Sequence, residues 1–130
     1  MTLSCQVTSL ELSKRLKELG VKQESLFWWV HHWTSPVPPT REATMVWDIF
    51  QKDEDDKVNE HVSAFTVAEL GEMLPNFLYS FKNGAGKWFT DVKAKIEKIE
   101  FPEYADTEAD ARAKMLIHLL EQGSITAEGL

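Results

Sequence analysis

Four histidines, a single cysteine and an acidic run are the side chains that could do chemistry in this 130-residue chain. His31, His32 and His61, with a carboxylate such as Asp48, are the residue types that ligate zinc. The spacing argues against it. His31 and His32 are adjacent in an extended run, and successive strand side chains point to opposite faces. They read as ordinary strand-end histidines. Cys5 beside a histidine would make a nucleophilic pair, but it precedes the first helix and no supporting motif surrounds it. A lone cysteine also excludes an internal disulfide framework and a cysteine zinc cage, and it fits a reducing cytosol. Gly84-Ala85-Gly86-Lys87 has the end of a phosphate loop. The full pattern needs glycine where Phe81 stands and Ser or Thr where Trp88 stands, so hairpin-turn chemistry is the better reading. Asp53 and Asp55 begin like a calcium loop, but Val58 holds the place of its tight-turn glycine and Ala64 that of its closing glutamate. No catalytic residue, metal site or cofactor is expected from these motifs.

Two constellations remain, and both concern binding. Lys82, Lys87, Lys93, Lys95 and Lys98 interleave with Tyr79, Phe81, Trp88 and Phe89. Such a hairpin can stack bases and track a phosphate backbone, with Lys82, Lys87, Trp88 and Lys93 as the contacts. The bland alternative is a hairpin with its aromatics inward and its lysines solvated. The whole chain favours that alternative, because its net charge is −7 and the deficit is spread over both halves. The second constellation is tryptophan. Five in this length is high, and Trp28, Trp29 and Trp33 crowd one segment. Tryptophan either fills a core or anchors an interface.

The elements that must position these residues follow from periodicity. Leu10, Leu12, Leu16 and Leu19 give a helical apolar face, with Ser9 as its N-cap and Gly20 at its end. Residues 25–32 read as a strand. Phe27 and Trp29 share one face, Leu26, Trp28 and Val30 the other, and both faces are apolar. Residues 44–50 read as a second strand, with Met45, Trp47 and Ile49 opposite Asp48. The proline-rich stretch 35–40 would turn between the two as antiparallel neighbours. The acids at 53–56 read as a solvated loop. Thr66-Val-Ala-Glu69 is a capping box, Phe65 and Leu70 form a hydrophobic staple, and Pro75 ends that helix. Residues 77–82 and 87–92 flank Asn83-Gly84 as a hairpin. Residues 93–101 suit either a helical turn or a strand. After Pro102, Thr107 caps the strongest helix, whose stripe is Ala109, Ala113, Leu116, Ile117 and Leu120, closed by Gly123.

Three of these segments carry a resemblance. Ser9 to Gly20 followed by Gln23 to Trp28, Thr66-Val-Ala-Glu-Leu-Gly-Glu-Met-Leu-Pro75 and Thr107-Glu-Ala-Asp-Ala-Arg-Ala-Lys-Met-Leu-Ile117 together resemble small proteins encoded by bacteriophages and prophages. The resemblance implies a phage-related origin and work in the host cytoplasm. It implies no catalytic or ligand residue.

The expected fold is α+β, a single domain over residues 1–130. An antiparallel sheet of three to five strands would be packed with about three helices, the last being its main partner. Three short helices can cover one face of such a sheet but hardly both. One of the Trp28 and Trp29 faces is then left for a second copy or for a host or phage protein. The expected function is a non-enzymatic accessory protein acting through protein–protein contact. A nucleic-acid module on hairpin 79–98 and a small enzyme without a recognisable motif are the alternatives. No apolar run is long enough for a membrane span.

Overall fold

A computed structural model describes residues 3–33, 45–51, 59–74, 77–92 and 104–130. The proline-rich turn, the acidic loop at 53–56, Pro75, Lys93 and the ambiguous stretch 93–101 lie outside them. The described chain runs α1 (Leu10–Glu18), β1 (Phe27–Trp33), β2 (Met45–Gln51), β3 (Glu60–Ala64), α2 (Val67–Met73), β4 (Phe77–Lys82), β5 (Trp88–Val92) and α3 (Glu108–Glu121). It is α+β, as the sequence patterns require. The strands form two antiparallel sheets, β2-β1-β3 and the hairpin β4-β5.

The helices form where their caps say they should. Thr66 Oγ1 accepts the Glu69 N–H and Glu69 Oε1 accepts the Thr66 N–H, so the capping box is complete. Phe65 and Leu70, its staple, are both buried. Thr107 Oγ1 accepts the Asp110 N–H at the head of α3. Gly20 and Gly123 close α1 and α3 at φ 89° and 73°, a left-handed geometry that costs glycine nothing. Ser9 departs from expectation. Its side chain makes no cap bond, and its backbone N–H donates instead to Asp110 of α3.

The core is helical. Leu16 of α1, Phe65, Leu70 of α2, and Ala109, Ala113 and Leu116 of α3 are sealed from solvent in one cluster, with Leu120 half-buried at its rim. Alanine on the packed side of α3 lets its neighbours approach closely. Across from the cluster, β4 and β5 pack on α3. This corrects the expected arrangement, in which the last helix carries one sheet. α3 serves the hairpin and the other helices, while the three-stranded sheet is joined to the core through β3 and α1. The physical reason is the break in pairing. The strands belong to two separate ladders, and the one on which α3 packs is β4-β5.

β1 begins two residues later than expected because Ser25 Oγ donates to the Phe27 carbonyl and the Leu26 N–H donates to Glu69. β3 is an element the sequence reading lacks. It pairs with β1 from Phe27↔Ala64 to His31↔Glu60. On its far side β1 pairs with β2 from Phe27↔Gln51 to Trp33↔Met45, antiparallel as expected.

Candidate functional site

Register decides which side chains share a face. Phe27, Trp29, His31 and Trp33 stand with Met45, Trp47, Ile49, Val62 and Ala64 on one face. This inner face meets α1. Trp29 Nε1 donates to the Thr8 carbonyl at 2.9 Å, just before the helix. The Lys14 ammonium lies 4.8 Å from the centre of the Trp47 ring, and His31 stacks flat on the same ring at 4.5 Å. Trp33, the last residue of β1, is 47% exposed. The structure thus separates the three candidate tryptophans. Trp29 is anchored under α1, Trp33 stands out at a strand end, and Trp28 occupies the opposite face.

That outer face carries Trp28, Val30 and His32, flanked by Val46, Asp48 and Phe50 from β2 and His61 from β3. A depression of about 440 Å³ opens there between Trp28, Val30, His32, Phe50, Asn59 and His61. Its walls are ring edges. His61 meets Trp28 edge-on at 5.5 Å and His32 meets Phe50 edge-on at 5.2 Å. His32 Nε2 lies 2.9 Å from Asp48 Oδ2, and His32 Nδ1 lies 2.9 Å from the Trp33 carbonyl. Both partners are acceptors, so both bonds are donated only by the doubly protonated ring. His31, on the inner face, faces Glu60 at 3.8 Å. The two adjacent histidines thus point to opposite faces, His31 toward Trp47 of β2 and Glu60 of β3, and His32 toward Asp48 and Phe50 of β2. Among the described residues no group of three or more His, Cys, Asp or Glu is placed to hold a metal ion. No Ser, Thr or Cys lines the depression.

The hairpin candidates stand elsewhere. Asn83 Oδ1 accepts the N–H groups of Ala85 and Lys87, and Gly86 has φ 80°, which makes the turn. Lys82 and Lys87 are exposed. Lys87 pairs with Asp106, and that bond holds the Asp106 carboxyl below its ordinary range. Trp88 is half-buried and exchanges both backbone bonds with Ala105. Phe89 packs between Phe81 and Tyr104, with ring centres 5.2 and 5.5 Å away. Cys5 is exposed on a short 3-10 turn, Leu3–Cys5.

Phe50, Gln51 and Asn59, which line the depression, were not singled out from sequence. Phe50 was visible as the period-two partner of Asp48. Asn59 gave no signal, because it stands just before β3, whose strand state depends on pairing with β1. Compared with protein-family models, curated proteins and solved structures, the chain matches none. No helix among the described residues is long and apolar enough to cross a membrane.

Proposed function

We propose that this chain is a non-enzymatic accessory protein of the bacteriophage and prophage kind its segments resemble, working in the host cytoplasm through protein–protein contact. The observation that carries the reading is the outer face of β2-β1-β3. It presents a concave, ring-walled depression lined by Trp28 and by the exposed side chain of Phe50. Tryptophan in an apolar hollow ringed by polar groups is the composition of an interface anchor. His32, His61, Asp48 and Asn59 supply the polar rim.

The nucleic-acid alternative is the weaker reading, since Lys87 is engaged by Asp106 and Trp88 is held against Ala105. The test is capture of partners from phage-infected or lysogenic cells with wild-type and Phe50→Asp protein, each checked for folding by circular dichroism. A stoichiometric partner kept by the wild type and lost by Phe50→Asp supports the outer face. Retention of single-stranded DNA or RNA at low salt, lost on Lys82→Glu/Lys87→Glu, would favour the hairpin instead.

A further inference from the structure

The two edges of the three-stranded sheet are treated differently. Along the outer edge of β3 the backbone groups are satisfied by the chain itself. Lys17 Nζ donates to the His61 carbonyl at 3.1 Å, and Gln23 Oε1 accepts the Ser63 N–H at 2.8 Å. Phe65, just beyond, gives its N–H to Thr8 Oγ1 and its carbonyl to the Thr8 N–H. β2 is the opposite edge, and among the described residues nothing bonds to its outer side. It is seven residues long and contains no proline, lysine or arginine, the usual guards of an open edge. Its one charge, Asp48, is turned toward His32 of its own sheet. Met45 and Phe50 project from it, 38% and 45% exposed.

We propose that β2 pairs with β2 of a second copy, so that two sheets join into one six-stranded antiparallel sheet. This rests on the reading that the chain works by protein contact, and names one of its partners. Symmetry narrows the register. Antiparallel strands related by a two-fold axis normal to the sheet keep their faces, so the axis passes through a residue and pairs it with its own copy. An axis at Asp48 sets two carboxylates side by side, which is destabilising. An axis at Trp47 pairs Trp47 with itself, Met45 with Ile49, and Val46 with Asp48. It matches apolar to apolar on the inner face and keeps the two acids apart. The net charge of −7 opposes association over the whole surface, but β2 carries only one of its acids, Asp48. The outer faces of the two copies then run on as one surface.

Sedimentation equilibrium from about 1 to 100 µM tests the pairing at concentrations where a weak dimer fills. The expected result is a species of twice 14.9 kDa whose dissociation constant rises by about tenfold or more in Met45→Lys and in Phe50→Lys. A 14.9 kDa monomer throughout, or a dimer indifferent to both variants, overturns the proposal. The register is tested by mild oxidation in a Cys5→Ser background. Met45→Cys mixed with Ile49→Cys gives an interchain disulfide, and either variant alone gives none. Self-crosslinking of Ile49→Cys would place the axis elsewhere and overturn the register. A monomer that still loses its captured partner on Phe50→Asp refutes self-pairing alone. A dimer that captures nothing through the outer face refutes the functional reading alone.

Discussion

Trp29 Nε1 donates to the carbonyl of Thr8, 2.9 Å away, on the face of β1 that α1 covers. Trp28, one position earlier, is thereby turned to the other side. Trp29→Ala is expected to destabilise the fold by about 2 kcal/mol or more, from lost ring packing and the lost hydrogen bond to the Thr8 carbonyl. Trp33→Ser, at the exposed strand end, should stay within about 0.5 kcal/mol of wild type. Urea titration checks both, and equal costs at the two sites would contradict the assignment of faces.

Leu116 has no exposed surface and lies among Leu16, Phe65, Leu70 and Ala113. Leu116→Ala should cost ~2–5 kcal/mol in a denaturant titration, because α3 meets neighbours on several sides and the site cannot collapse. A cost below about 0.5 kcal/mol would place that side of α3 in solvent.

Gly71 stands in the interior of α2, where alanine ordinarily gains about 1 kcal/mol. Here a Cβ would strike the Arg112 guanidinium. Arg112 is not free to move aside, since it donates to Ser80 Oγ, the Val67 carbonyl and Glu108. Gly71→Ala should therefore destabilise by about 1–2 kcal/mol. In an Arg112→Met background the same change should become neutral or stabilising. Thermal melts of the four proteins close the cycle, and strict additivity would show that the two residues do not meet.

Asp110 accepts the Ser9 N–H at 2.8 Å, yet burial pushes its carboxyl above its ordinary value of 3.8. The folded chain then holds that proton more tightly than the unfolded chain. The group favours folding most at pH below 3.8, and its contribution declines as pH rises through the raised value. Asp110→Asn keeps an acceptor for Ser9 and removes the titration. The stability of wild type minus that of Asp110→Asn should fall with rising pH across this window in urea titrations. A difference that is flat, or that rises with pH, would contradict the burial of Asp110.

Local chemistry was legible in the sequence. The Thr66–Glu69 box, the Thr107 cap, the Asn83–Gly86 turn and the alternation of Trp28 and Trp29 each depend on residues a few positions apart. β3 was not legible, since Glu60–Ala64 is short, holds one β-branched residue and becomes a strand by pairing with β1. Nor was the division into two sheets, which long-range packing on α3 sets. The outer face needed register as well. His32 and Asp48 are 16 positions apart and meet only because β1 and β2 align Val30 with Asp48. The covering of Trp29 by Thr8 depends on where α1 docks, which no pattern near either residue records.

The outer face as the working surface is tested most directly by paired capture from infected or lysogenic cells, read by mass spectrometry. Three folded proteins are compared: wild type, Phe50→Asp on the outer face, and Lys82→Glu/Lys87→Glu on the hairpin. The expected result is a stoichiometric partner held by the wild type and the hairpin variant and lost by Phe50→Asp. A partner held by Phe50→Asp and lost by the hairpin variant would contradict the outer-face reading.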